Sequence, residues 1–321
     1  MPATPVTQSA RVAYEEVQFS SAVLSGRAWP LIIIDAGNPG PRLCVMAGMH
    51  INEVSSMEAA LRLVPFFERQ LRAGRVEIMP VVNVPALWTN TVQTCPVDEK
   101  NINFAFPGSP IGSFTPALAH ALLNEWAGDA SLLIDLHGGD LPTQVSYFTM
   151  CQLTGNVSFD AETRAFAMCF DADLHVEFPA HNSENTGRAC NVRPMTGKHA
   201  VMVEGGGNGL IEEASVDYHV QGVLRCAARL GLVEPLSITR ARNGLRVSGF
   251  EKVVAPANGR FYPLVKVVDQ VRRGQTIGQL NDVYGRNVEE LRSPIDGAVV
   301  YRITHPMVTQ GWAVMAIGAV Y

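Results

Sequence analysis

The sequence predicts an α/β fold, a largely parallel or mixed sheet flanked by helices, followed by a smaller all-β domain. Three observations carry that expectation. Short apolar runs alternate with stretches of helical spacing over the first 230 residues, the alternation stops near Gly231, and valine-rich segments separated by glycine turns follow it. Leu31 to Ile34, Arg42 to Ala47, Val76 to Val82, Leu132 to Leu136 and Ala200 to Val203 are short and apolar throughout, as expected of strands covered on both faces. Ser55 to Leu71, Ala117 to Ala127, Ala161 to Cys169 and Tyr218 to Leu230 place apolar residues at helical spacing. Val233-Glu234-Pro235 ends the last of these, which sets the expected domains at 1–232 and 233–321. In the second domain, short strands around Gly244 to Val254, Gly259 to Val267, Thr276 to Leu280, Gly297 to Ile303 and Ala313 to Ile317 point to a compact sandwich or barrel. Turns such as Asn258-Gly259, Arg273-Gly274 and Asp296-Gly297 separate them, and they keep no fixed period.

Composition narrows the class. The chain has 321 residues, a net charge of −5 and no clustering of Lys and Arg, which argues against a nucleic-acid partner. The N-terminus lacks a basic stretch followed by an apolar core, and no apolar run approaches a membrane span. Six scattered cysteines without a Cys-x-x-Cys pair suit reduced thiols, so the expected location is cytoplasmic, without membrane association.

Three short segments carry chemistry. His50 and Glu53 lie where an apolar strand-like run gives way to a helical pattern, His137 ends the run Ile134-Asp135-Leu136, and Glu204 ends Val201-Met202-Val203. In α/β sheets, ligand sites gather beyond the carboxyl ends of strands, where all four groups fall. Two imidazoles and one carboxylate leave the fourth position of a Zn²⁺ tetrahedron open, the ligand set of a hydrolytic zinc, one ion per chain. Glu204 is then the group expected to activate a metal-bound water. Each residue alone has a plainer account: a strand-end histidine is commonly structural, and an acidic residue in a first helical turn is favoured by the helix dipole. Asp135, two residues before His137, suits a shared strand face or a buried helix-capping or loop-fixing role equally.

Other patterns carry less. Gly205 to Leu210 breaks the dinucleotide-loop register at Leu210 and reads as a flexible loop beside Glu204. No Gly-x-Ser-x-Gly elbow is present. His175, Glu177 and His181 have the residue types for a second metal, but His-x-Glu also suits an exposed loop.

The order His50-Ile51-Asn52-Glu53, Asn83-Val84-Pro85-Ala86-Leu87, Asp98 to Gly108, Asp135-Leu136-His137 and Glu204-Gly205-Gly206 resembles the succinylglutamate desuccinylase/aspartoacylase family. These are zinc-dependent relatives of the M14 metallocarboxypeptidases. The likeness runs on through Ser293-Pro294-Ile295-Asp296-Gly297 into the last strands, and its style is that of the bacterial branch that includes N-acetyl-diaminobutyrate deacetylases. It implies a zinc-carboxypeptidase-like mixed sheet with His50, Glu53 and His137 as zinc ligands and Glu204 as general base and acid. Asn103 falls on the family's substrate-contacting asparagine, and the resemblance implies a homo-oligomer. Two family arginines that grip a substrate carboxylate fall here on Gln93 and Phe104, neither of which supplies the charge of a bidentate clamp. Arg188 and Arg193 remain candidates for an anionic group. The expected activity is deacylation of a small N-acylated amine or amino acid. A carboxypeptidase-type metallopeptidase would use the same groups, and a binding protein that has lost turnover would keep the metal.

Overall fold

The computed structural model describes residues 9–89, 93–180, 187–236 and 244–321. Its elements follow in chain order as β1 (Arg11–Val17), β2 (Trp29–Asp35), β3 (Arg42–Met46), α1 (Val54–Arg62), α2 (Val64–Gln70), β4 (Arg75–Met79) and α3 (Phe114–Ala121). Next come β5 (Leu132–His137), β6 (Thr143–Val145), β7 (Phe148–Gln152), α4 (Val157–Ala167), β8 (Leu174–Phe178), α5 (Ala189–Val192), β9 (His199–Glu204) and α6 (Glu213–Arg229). The last are β10 (Leu245–Val254), β11 (Gly259–Pro263), β12 (Gln270–Val271), β13 (Thr276–Asn281), β14 (Asn287–Arg292), β15 (Gly297–Ile303), β16 (Met307–Val308) and β17 (Ala313–Val320).

The expected mixed sheet is present, in the order β1-β2-β4-β3-β5-β9-β7-β8-β10-β17-β15-β12, with β6 attached to β15. Strands β3, β5 and β9 are adjacent and parallel, so the chain leaves all three at the same edge. One face is covered by α1, α2, α4 and α6 through Val45, Leu63, Phe67, Ile134, Phe166 and Val203, and the other by α3 through Met46, Leu118, Leu133 and Trp126. Covering on both faces explains why these strands are continuous apolar runs.

The run Ser55 to Leu71 is two helices rather than one, meeting at Leu63. Pro65 has no N–H to donate and its ring would crowd the preceding turn, so it is accommodated only near the start of a new helix. Strands β7 and β8 were not legible as apolar runs because polar residues interrupt them. This corrects the exposed-loop reading of His175 and Glu177, which sit in β8 at 4% and 3% exposure. His181 lies outside the described residues.

The segment after Leu245 continues the sheet by parallel pairing of β10 with β8, and a second sheet, β14-β13-β11-β16, packs beside it. Within it lies a duplication that a fixed-period search passes over. Ala255-Pro256-Ala257-Asn258-Gly259 matches Ser293-Pro294-Ile295-Asp296-Gly297, and Val271-Arg272-Arg273-Gly274 matches Val308-Thr309-Gln310-Gly311, with one residue fewer between the paired motifs in the second copy. The registers repeat too: Phe261 pairs with Leu280 as Val299 pairs with Ile317. The short strands are exchanged, β16 of the second copy pairing with β11 of the first, and β12 of the first with β15 of the second.

Candidate functional site

Because β3, β5 and β9 are neighbours ending at one edge, the chain delivers His50, His137 and Glu204 to one place. His137 and Glu204 are register partners and share a face of the sheet. Gly48, at φ +65°, turns the chain out of β3 where a Cβ would meet Met57 Sδ at 2.8 Å. Asn83 holds that turn through its amide, which donates to the carbonyls of Met49 and Thr94. Glu53 is the N-cap residue of α1 but its side chain caps nothing. Instead it points inward, which sets aside the helix-dipole account of this residue.

The carboxylate of Glu53 lies between two imidazoles. His50 Nδ1–H donates to Glu53 Oε1 at 2.7 Å and His137 Nδ1–H to Glu53 Oε2 at 2.8 Å. On the outer side, His50 Nε2–H donates to Asn101 Oδ1 at 3.1 Å, and His137 Nε2 lies 3.1 Å from Asp135 Oδ1. All three residues are buried, and one ligand atom from each falls within 4.8 Å of the others, so the cluster could hold a metal ion. Asn101 and Asp135 are placed as outer partners that orient the rings. Asp135 is therefore a buried neighbour of His137 rather than a helix cap. Asn101 had no assigned role from sequence; the signal was its place two residues before Asn103, from whose backbone N–H it also accepts.

The electrostatics follow from this packing. Burial alone would raise the Glu53 carboxyl, but the two imidazoles outweigh it and hold it down at about 2. Burial would lower both histidines, yet Glu53 raises His50, and Asp135 with Glu53 raises His137 well above the ordinary range. A cation held by His50, Glu53 and His137 would compete with these protons, so its uptake would release protons. Glu204 is raised well above a normal carboxyl by burial and by Glu53, with His137 and Arg188 opposing. Asp140 was missed by sequence reasoning. Its carboxyl is buried beside the cluster, raised by burial, and its Oδ2 has no partner.

The glycines after Glu204 are packed rather than loose. A Cβ on Gly205 would meet the Tyr218 ring at 2.7 Å and one on Gly207 would meet Thr143 O at 2.2 Å, which corrects the flexible-loop expectation. Strand β15 clamps the facing loop: β6 pairs with it, Ser146 N–H donates to Val300 O, Thr304 N–H to Pro142 O and Thr304 Oγ1–H to Asn208 Oδ1.

Among the other sequence candidates, Asn103 is buried with Oδ1 unpartnered. Arg188 is 8% exposed, its Nε has no partner, and its guanidinium lies 4.7 Å from the centre of the Phe104 ring. Gly187 permits this contact: at φ +112° it leaves room for Phe104, whose carbonyl a Cβ would meet at 2.7 Å. Phe104 is 53% exposed and Gln93 is also exposed. Arg193 is not available to an anion, since its guanidinium donates to the carbonyls of Ala127, Ala130 and His199. All six cysteines are free, and among the described residues no helix is long and apolar enough to cross a membrane.

The catalytic-domain model of succinylglutamate desuccinylase and aspartoacylase matches residues 39–230, which contain every residue of the cluster. The chain belongs to this family. A family relative, the N-alpha-acetyl-L-2,4-diaminobutyric acid deacetylase of Halomonas elongata, is 25% identical over 296 residues, covering 91% of this chain and 85% of that protein. Among solved structures, the product-bound ectoine utilization protein EutE (DoeB) of Ruegeria pomeroyi superposes with a TM-score of 0.84 at 21% identity, covering 99% of this chain and 98% of that one. A succinylglutamate desuccinylase/aspartoacylase of Rhodobacter sphaeroides gives 0.81 at 24% identity, covering 100% and 98%. The family fold therefore extends over the C-terminal strands as well.

Two histidines outside the cluster give a pH expectation. Burial pushes both His175 and His219 down to about 4. Unfolded, each takes up its proton near pH 6.5, so folded stability falls as pH drops from about 6.5 towards 4, by roughly 2 kcal/mol per histidine at pH 5. The raised groups His50, His137 and Glu204 act with the opposite sign, gaining stability as pH falls towards the unfolded pKa of each, so the effect is isolated by comparison with a variant lacking one lowered histidine. Urea midpoints for metal-free wild type and His175→Gln at pH 7 and pH 5 check this: the variant should lose less on acidification, and equal losses would contradict it.

Proposed function

We propose that the chain is a zinc-dependent hydrolase that cleaves the amide bond of a small N-acylated amine or amino acid. The observation that carries this is the buried Glu53 carboxylate held between His50 and His137, with Glu204 presented beside it on the next strand. The donor set of two imidazoles and one carboxylate fits Zn²⁺ with a position left open. When bound, one per chain, the ion supplies Lewis acidity towards water and the scissile carbonyl. Glu204 takes the proton of the attacking water and passes it to the leaving amine. Its raised proton affinity suits a group that must hold that proton between the two steps.

Residues 1–232 form the catalytic unit in this reading, and 233–321 brace it through β15. Arg188 and Asn103 bind substrate, since each offers a buried polar atom without a partner at the site. Phe104 supports the Arg188 guanidinium from below, and Gln93 lies at the rim. Arg188→Met is expected to raise KM about 10- to 100-fold for substrates with a free carboxylate, the worth of one charged hydrogen bond, while leaving their amide analogues little changed. The deacetylase name of the Halomonas relative supports an N-acetyl substrate.

The test is a panel of N-acylated amino acids and amines against dipeptides, before and after chelation. Hydrolysis of an N-acyl substrate, lost with chelator and restored by zinc, is expected. Preferential cleavage of dipeptides, or indifference to chelation, would overturn the proposal.

A further inference from the structure

His175 and Glu177 take no part in the chemistry proposed above, yet they line a second cavity. In the sheet, Phe148 pairs with both Glu204 and Leu174, so Thr149, Cys151, His175 and Glu177 all point to the face opposite the Glu204 carboxyl. Helix α4 lies over that face and leaves a cavity of about 120 Å³, lined by Cys151, Arg164, Met168, His175, Glu177 and Arg246 among others. We propose that this cavity binds a compact oxyanion, phosphate or a small carboxylate, held by Arg164, Arg246 and His175 Nε2.

Cationic donors around the cavity outnumber its anionic acceptors. Glu177 accepts from Arg164 Nε at 3.0 Å, from Arg246 Nε and Nη2 at 2.9 Å each, and from the Tyr321 hydroxyl at 2.7 Å. It accepts three bonds on Oε2 and one on Oε1, and one carboxylate facing two guanidiniums leaves an excess of positive charge. Among the described residues, Arg164 Nη1 and Nη2 and Arg246 Nη1 make no hydrogen bond, so forked donors remain for an anion. His175 is 4% exposed; its Nδ1 is 2.8 Å from Thr149 Oγ1 while Nε2 has no partner, an arrangement that is costly unless a ligand or water completes it. Burial keeps this imidazole neutral, and in the proposed site the Thr149 hydroxyl donates to Nδ1, the tautomer that leaves Nε2–H as a donor to the anion. A cation would face two guanidiniums, and an apolar ligand would leave Nε2 unpaired. The cavity holds about four water volumes, the scale of a phosphate or a short carboxylate.

Such an anion would bridge α4 to β10, so the readout is thermal stability of the full-length protein. At constant ionic strength set with chloride, melting temperatures are measured against inorganic phosphate and, in a separate arm, acetate. A saturable rise of roughly 2–3 °C at about ten times the dissociation constant is expected for the wild type. The rise should be lost in Arg164→Met, and N-acyl hydrolysis measured without phosphate should be unchanged. Arg164→Lys, which keeps charge but not the fork, provides a second reading should Arg164→Met fold poorly, and is expected to shift the midpoint concentration at least about 10-fold upward. A response to one anion alone supports the site and identifies its source. No saturable response in either arm, or equal responses in wild type and both variants, would overturn the proposal.

Discussion

Glu204→Gln is expected to lower kcat about 10²- to 10⁴-fold on the substrate that the panel identifies, while zinc content stays at one per chain. The two effects separate because Glu204 enters from β9, whereas the cluster is built from the turn after β3 and the end of β5. Gln keeps the volume and the hydrogen-bonding shape but cannot take a proton. Removing a carboxyl whose proton affinity is already raised by burial and by Glu53 should not destabilise the fold. Kinetics and metal analysis on the same preparation check the expectation. Undiminished turnover would remove Glu204 from the proton path and leave Asp140, a buried carboxyl beside the cluster, as the alternative to test.

Glu53→Gln should have the opposite signature, loss of metal before loss of anything else. Its two oxygens are shared between His50 and His137, so the variant surrenders the only anionic donor of the cluster and the pairing that orders both rings. Metal affinity is expected to fall by more than about 100-fold, beyond the range seen for loss of an outer partner alone. The clearest measurement is the melting temperature with and without chelator. The wild type should lose stability on chelation, and the variant should melt at one temperature in both conditions. A variant that still gains stability from zinc would show that Glu53 is dispensable for binding.

Much of the site was legible because strand ends concentrate chemistry: His50, Glu53, His137 and Glu204 each follow an apolar run, and the structure brings them together. What sequence could not supply was their surroundings. Asn101 and Asp140 are polar residues in loops, and nothing local marks Asn101 as the partner of His50 or Asp140 as buried beside the cluster. Strands β7 and β8 were hidden for a related reason. Thr149, His175 and Glu177 interrupt the apolar pattern, and they can be buried only because they hydrogen-bond to one another's neighbours and to arginines from α4 and β10. Pairing across long sequence separations is not written in either partner alone. Pro65, by contrast, announces the break between α1 and α2 in the local sequence.

The clamp made by β15 on the loop after His137 has a consequence for the order in which the protein becomes competent. Every group of the cluster lies before residue 205, yet Val300 and Thr304 hold the segments that flank it. A nascent chain that has already released His50, Glu53, His137 and Glu204 from the ribosome still lacks the strand that fixes their surroundings. The pocket is therefore finished only when the last quarter of the polypeptide has emerged, and a chain cut short near Asp296 would carry a full set of reactive side chains in an unfinished enclosure.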